Sequence, residues 1–140
     1  MLGIPLPALL LGIAGVVPFW AAPVAIWWDP QWWTVAHHQQ LVYGALILSF
    51  LGGVHWGIAL AGDDHRWPRY VWSVLPALIG WTSHAFEHHG ILILICGFGT
   101  AWSIDRLSPL AEALPVWYQS LRAILSVGAV GGLAATILVS

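Results

Sequence analysis

One histidine stands inside a long apolar segment. His55 lies in the stretch GALILSFLGGVHWG, which covers residues 44–57. An imidazole inside a bilayer is costly unless a polar partner or water reaches it, so the ring is predicted to face the interior of a helix bundle. Two interpretations stay open: a neutral ring that donates a structural hydrogen bond to a backbone carbonyl or a serine, or a group that binds a ligand or handles protons.

Polar residues elsewhere in the chain are expected at the depth of His55. Asp105 ends the fourth apolar segment and Arg122 lies one turn inside the fifth, so an ion pair between them below His55 would form a polar pocket. The alternative is that both charges extend to the membrane surface. A histidine, a serine and a tryptophan could donate hydrogen bonds to the oxygens of a quinone. The predicted ligand-binding residues are His55, Trp56, Ser49, Ser73, Asp105 and Arg122.

A second group of candidate ligands follows the third apolar segment. His84, Glu87 and His88 form the pattern H-x-x-E-H, in which two histidines on one helix face bind zinc and a glutamate assists water. That chemistry needs an unbroken helix and a third ligand, whereas this motif spans an expected turn. We therefore expect solvated turn residues, with zinc or copper bound at His84, Glu87 and His88 as the alternative.

Composition determines which elements hold these residues. Of the 140 residues, 59% are hydrophobic and only 7% are charged, and the mean hydropathy is +0.81. Such a chain is typical of an integral membrane protein, and its long apolar runs predict helices because each helix bonds its own backbone groups. The fold class is therefore all-α. The single Cys96 excludes a disulfide within the chain, and the absence of a basic run argues against nucleic acid as a partner.

The sequence predicts a single transmembrane domain of five helices. The predicted spans cover residues 6–27, 38–61, 69–84, 87–104 and 117–139. Five spans place all four arginines on one side of the membrane, and short positively charged loops remain in the cytoplasm. The N-terminus is thus expected to be cytoplasmic, in a multi-pass protein of the cell inner membrane.

Small residues recur at every fourth position of the second span. Such a stripe lets another helix approach closely, as in GxxxG packing, and it is predicted to form the packing core of the bundle. Its members are Ala45, Ser49, Gly53, Gly57 and Ala61.

Four segments together resemble a known family. They read GIAGVVPF over residues 12–19, YGALILSFLGGVHWG over 43–57, SVLPALIGW over 73–81 and LPVWYQSLRAILS over 114–126. They are similar to the domain-of-unknown-function family 3429, the transmembrane protein 69-like small five-span membrane proteins. The resemblance implies a five-span architecture and singles out His55 and Trp56. The family has no established activity, so the resemblance implies no chemistry.

The chain favours a non-enzymatic function. Close-packing glycines and few polar groups within the spans are typical of an accessory or assembly subunit of a larger membrane complex. A respiratory or photosynthetic complex is expected because the resemblance extends to a mitochondrial protein. The alternatives are a binder of a small hydrophobic molecule such as quinone, in a pocket around His55, and a metal-binding membrane protein that uses the histidines beyond the third span.

Overall fold

The computed structural model describes residues 3–140, with the backbone alone at Glu87. Three short 3-10 helices, Pro30–Trp32, Glu87–His89 and Pro109–Ala113, lie in the connections between longer helices. The prediction of an all-α fold with five helices is confirmed, and the described residues contain no strand. The five α-helices are α1 (Leu6–Trp28), α2 (Trp33–Ala61), α3 (Trp67–Ala85), α4 (Gly90–Leu107) and α5 (Val116–Val139).

Four helices, α1, α2, α4 and α5, are long and apolar enough to cross a membrane. At 19 residues, α3 is as long as α4 but less apolar. Its polar residues Arg69, Ser73 and Ser83 are all buried, whereas its apolar residues Val71, Val74 and Leu78 are exposed. This arrangement suits a helix that turns polar groups toward a bundle and apolar groups toward lipid, so α3 completes the five-helix bundle.

Two helix starts differ from the predicted spans by three residues or more. α2 begins at Trp33, five residues before the predicted start, because the ring of Trp33 stacks on His37 at 4.7 Å and its Nε1 donates to the Ser140 hydroxyl. α4 begins at Gly90, since the residues before it form a 3-10 turn. Both differences lie in polar flanks, where apolar length gives no signal.

A proline inside α1 is compensated by a side chain of α2. Pro23 has no N–H group, so the carbonyl of Phe19 lacks its normal partner within the helix. The buried Gln40 of α2 donates its amide to that oxygen at 2.9 Å, and also to the carbonyl of Gly132 in α5 at 3.3 Å. One side chain therefore joins three helices at the point where α1 is interrupted.

The chain reverses direction at each connection, which brings the arginines to one end of the bundle. The C-terminal ends of α2 and α4 meet the N-terminal ends of α3 and α5 there, as the contacts of Arg69 with Leu110 and of Arg122 with Asp105 show. We call this the arginine end. The apolar core lies beside it, and its most buried members are Phe19, Leu41, Leu48, Leu94, Phe98 and Leu133.

The predicted small-residue stripe of α2 does not form the packing core. Nothing among the described residues lies within 4 Å of a methyl group placed on Gly53 or Gly57. Ala45 does pack, because a methyl group on Gly80 of α3 would lie 2.8 Å from its Cα. The prediction is therefore wrong for most of the stripe within this chain. The exposed members are Ser49, Gly53, Gly57 and Ala61.

The reason is the position of His55. A helix turns about 100° per residue, so residues two positions away from His55 point to the opposite side. Because His55 faces the interior, Gly53 and Gly57 must face outward. The close contact falls instead at Gly52, whose missing side chain leaves room for the backbone carbonyl of Ser73 in α3.

A pair of adjacent substitutions tests this packing. Gly52→Ala should lower the free energy of unfolding by roughly 1–3 kcal/mol, because the new methyl group meets the Ser73 backbone and forces α2 and α3 apart. Gly53→Ala is the matched control and should be neutral or slightly stabilising, since its methyl group meets open space. Denaturant unfolding in detergent measures both. Equal losses in the two variants would contradict the helix rotation described here.

Candidate functional site

Four ionisable side chains meet inside the arginine end. His55 comes from α2, Arg69 from α3, Asp105 from α4 and Arg122 from α5, and each is at most 4% exposed. We call these four residues the buried network. Each of the four helices thus supplies one member, so the network forms only when all four have packed.

Asp105 is the centre of the network. Its Oδ1 lies 2.6 Å from Nε2 of His55, and its Oδ2 accepts a hydrogen bond from Nε of Arg122 at 2.9 Å. The carboxylate stands near the C-terminal end of α4, where the helix dipole disfavours negative charge. Gln119 of α5 also donates to the backbone oxygen of Asp105. These donors replace water around a charge that neither lipid nor the helix would stabilise.

Arg69 determines which nitrogen of His55 carries the proton. Nη1 of Arg69 lies 3.2 Å from Nδ1 of His55, and a guanidinium can only donate. Nδ1 must therefore be the acceptor, and the proton sits on Nε2, which donates to Asp105. His55 is thus a neutral ring between a cation and a carboxylate. Both of its nitrogens are already in use.

The network reaches the surface through Arg69. Its Nη2 donates to the backbone oxygen of Leu110 at 3.2 Å, and its Nε lies 3.7 Å from Asp64, in the loop after α2. Asp64 is held more closely by Arg66, whose two side-chain hydrogen bonds lower the pKa of Asp64 to about 2. Arg69 therefore links the buried network to a loop charge that is already paired.

Arg122 also contacts polar side chains of its own helix. Its Nη1 donates to the Ser126 hydroxyl at 2.7 Å, but its Nη2 is buried and has no hydrogen-bond partner among the described residues. The hydroxyl of Tyr118, one turn earlier on α5, is also buried and interacts with the Arg122 side chain, so the two groups are placed to pair with each other. Buried donors without partners are rare and costly, and this contact offsets part of the cost of burying both groups.

Other parts of the Tyr118 and Arg122 side chains line a cavity of about 490 Å³ between α1, α2, α4 and α5, while Nη2 and the phenol oxygen themselves are covered. We call it the α1–α2 cavity. Its polar wall is formed by Tyr118, Arg122 and Ser126, and the remainder is largely apolar. Its volume and lining fall in the range of small-molecule sites, which are mostly apolar with a few polar groups. Its apolar lining includes Leu11, Val16, Ile47, Phe50, Phe98 and Leu125.

The space beside His55 itself is much smaller. A cleft lined by His55, Pro76 and Asp105 holds about 10 Å³, which is near the minimum for one water molecule. A quinone ring does not fit there. The space suited to a ligand lies instead beside Arg122.

The predicted ligand-binding residues separate into two groups. His55, Asp105 and Arg122 come together, and the ion pair expected between Asp105 and Arg122 is present. Ser49 is exposed and bonds the backbone of its own helix, Trp56 is 43% exposed, and Ser73 donates to the carbonyl of Tyr70.

Sequence reasoning missed two members of the site. Arg69 was used for topology alone, although a charge within a transmembrane helix is itself a signal of a buried partner. Tyr118 was given no role in the site. Its signal was the four-residue spacing of Tyr118, Arg122 and Ser126, which puts all three on one face of α5.

The histidines at the opposite end are dispersed. α3 ends at Ala85, so His84 and His88 do not share one helix face, as H-x-x-E-H requires. The rings of His38 and His84 lie 6.1 Å apart. No group of three metal-ligating side chains occurs among the described residues, and the side chain of Glu87 lies outside them. Metal binding by His84, Glu87 and His88 stays a prediction.

The apolar helices and the inward polar network define a multi-pass integral membrane protein. The family model described as "Protein of unknown function (DUF3429)" matches residues 4–138, and the chain belongs to this family.

The chain is similar to two curated vertebrate proteins, each described as transmembrane protein 69. The protein from Xenopus tropicalis is 37% identical over 140 residues, covering 96% of this chain and 54% of its own length. The protein from Mus musculus is 33% identical over 128 residues, covering 87% of this chain and 51% of its own length. The chain therefore spans about half the length of these relatives. None of the solved structures matches it.

Removal of the central charge tests the network. Asp105→Asn should lower the free energy of unfolding by about 3–5 kcal/mol, because it leaves the Arg122 cation buried without its counter-ion. The double variant Asp105→Asn with Arg122→Gln should recover part of that loss. Asp63→Asn in the exposed loop is the control and should have no effect. Denaturant titration in detergent gives the three values. An unchanged Asp105→Asn variant would contradict the network.

Proposed function

We propose that the protein binds a small hydrophobic molecule in the α1–α2 cavity, within the cell inner membrane. The observation that carries the proposal is the cavity itself, which holds about 490 Å³ and is largely apolar except where Tyr118, Arg122 and Ser126 line it. The bound molecule has an apolar body and a head group that accepts hydrogen bonds. A quinone carbonyl and a lipid carboxylate both meet this requirement.

The buried network supports the proposal by fixing part of the cavity wall in place. Arg122 is held by Asp105 on one edge and by Ser126 on another, so its side chain is fixed where it lines the cavity. A rigid wall loses little conformational entropy when a ligand binds. In this scheme His55 is a positioning residue, because it holds the Asp105 carboxylate that in turn holds Arg122.

Access to the cavity is available from the lipid side. Leu11 of α1 and Phe50 of α2 line the cavity and are also largely exposed on the outside of the bundle. A hydrophobic molecule can therefore enter sideways between α1 and α2 without crossing water. The proposal requires no soluble domain and no reaction.

A cavity-filling substitution tests the proposed function. Protein purified in mild detergent should retain about one bound hydrophobic molecule per chain, detected by native mass spectrometry and by extraction into organic solvent. Ile47→Trp places a large ring in the cavity and should abolish retention. The control is Leu46→Trp, on the exposed face of the same helix, which should retain the molecule. Equal retention in the two variants, or a wild-type protein that neither carries nor takes up such a molecule, would refute the proposal.

A second candidate is an accessory or assembly subunit of a larger respiratory or photosynthetic complex. One observation favours it: the exposed small residues Ser49, Gly53 and Gly57 leave a flat surface on α2, where a helix of another protein could approach closely.

Bulky substitutions on this surface test the subunit hypothesis. Gly53→Leu with Gly57→Leu should remove the protein from any larger complex on native gels of solubilised membranes, because the new side chains block helix approach. Val127→Phe, on an exposed part of α5, is the control. Unchanged migration of the glycine variant would count against this candidate.

A further inference from the structure

One buried hydroxyl differs from the other buried serines and threonines of the described chain. Ser73, Ser83 and Thr136 each donate to a backbone carbonyl three or four residues earlier in their own helix. Ser126 gives no such bond. Its hydrogen bond within the described chain is the one that its oxygen accepts from Nη1 of Arg122 at 2.7 Å. The hydroxyl of Ser126 therefore keeps its own proton free, although the residue is only 8% exposed.

Ser126 lines the α1–α2 cavity, so an acceptor can reach this proton from the cavity. The other hydroxyls of the cavity wall are not available in the same way. Tyr43 already donates to the carbonyl of Gly15 at 2.7 Å, and the oxygen of Tyr118 is covered. A buried hydroxyl that donates to nothing is costly, so an acceptor on a bound molecule would remove that cost.

The contact with Arg122 makes Ser126 a stronger donor. A hydroxyl that accepts a hydrogen bond from a cation is polarised, and its own proton then binds an acceptor more strongly. Asp105 holds the guanidinium through Nε at 2.9 Å, so the Ser126 oxygen is fixed by a rigid partner. The donor offers one proton, which matches a head group that presents one accepting oxygen.

The charges around the cavity argue for a neutral head group. Arg122 is paired with Asp105 at 2.9 Å, and Arg69 has a carboxylate partner in Asp64 at 3.7 Å. The ring of His55 is neutral between Arg69 and Asp105. An anionic ligand would therefore bring a further charge without a cation of its own, which is costly in a buried site.

The depth of Ser126 leads to the same conclusion. It is the eleventh residue of α5 and lies roughly 15 Å along the helix axis from Val116. That distance is about half of the roughly 30 Å hydrocarbon core. The cavity wall around it is formed by apolar side chains such as Phe98, Leu125 and Ala129. A neutral carbonyl can reach this depth at little cost, whereas a charged group cannot.

We infer that the ligand of the α1–α2 cavity is a neutral, lipid-soluble carbonyl compound whose carbonyl oxygen accepts a hydrogen bond from the Ser126 hydroxyl. The inference rests on the proposed function and names its ligand class. A quinone and an ester lipid share this chemistry, and the probes below separate them.

Four probes test the ligand class: a quinone with a short isoprenoid tail, the methyl ester of a long-chain fatty acid, the hydrocarbon of the same chain length, and the matching alkyl sulfonate, which stays anionic. Each is titrated into the full chain in neutral detergent, with native mass spectrometry as the readout. We expect a carbonyl probe to bind about fivefold or more tightly than the hydrocarbon and the sulfonate, because only the carbonyl accepts from Ser126 without adding charge. Tight binding of the quinone alone identifies a quinone, and tight binding of the ester alone identifies an ester lipid.

Substitutions of Ser126 identify the donor. Ser126→Ala should lower the affinity for the carbonyl probe to that for the hydrocarbon, and leave hydrocarbon binding unchanged. Ser126→Thr keeps a hydroxyl and should keep the preference. Ser126→Cys retains the shape but donates weakly, so it gives the same comparison if the alanine variant does not fold. The control is Ser103→Ala, because Ser103 bonds the carbonyl of Gly99 and does not line the cavity.

The outcomes separate the inference from the proposed function. Equal binding of the hydrocarbon and both carbonyl probes, or tightest binding of the sulfonate, would overturn the inference and leave the proposed function standing. An unchanged preference in Ser126→Ala would also overturn it. If none of the four probes binds and the purified protein carries no hydrophobic molecule, the proposed function itself fails.

Discussion

Asp105 carries a negative charge that is only 3% exposed, and the arginine end of the bundle is organised around that charge. His55 and Arg122 donate to its two oxygens, so α2 and α5 are held at fixed rotations relative to α4. Arg69 holds α3 in the same arrangement, because it donates to Nδ1 on the opposite side of the His55 ring. A shift of any one helix would leave a buried donor or acceptor unsatisfied, which is costly in a medium that offers no replacement.

The network is linked to a loop on one side and borders a cavity on the other. Toward α3 and the loop after α2, each described donor of Arg69 meets a ring nitrogen, a carbonyl or a carboxylate. Toward the α1–α2 cavity, Arg122 donates to Ser126, and these two residues and Tyr118 form the polar part of the cavity wall. The same residues therefore do two things: they lock four helices together and they present a polar group at the end of an apolar cavity. This asymmetry links the stability of the bundle to its proposed binding role.

Much of the architecture was predictable, because apolar length and the need to bond every backbone group leave five helices as the solution. The convergence of His55, Asp105 and Arg122 could also be predicted, since the depth of a residue along its helix follows from its position in the sequence. The rotation of each helix about its own axis could not be predicted in the same way. It explains why Gly53 and Gly57 were predicted to pack although an inward His55 places them on the opposite side, and why Arg69 and Tyr118 were not assigned to the site. The histidine motif depends on a different quantity, the length of α3, which stops at Ala85 before the motif is complete.

The bond between Gln40 and the carbonyl of Phe19 bears on how the chain enters the membrane. Because Pro23 cannot supply that donor, α1 by itself carries a bare carbonyl at mid-helix, and the missing partner is encoded about twenty residues downstream in α2. A ribosome delivers α1 first. The first two helices should therefore leave the translocation channel together as a hairpin, so that the carbonyl is already covered when it meets the acyl chains.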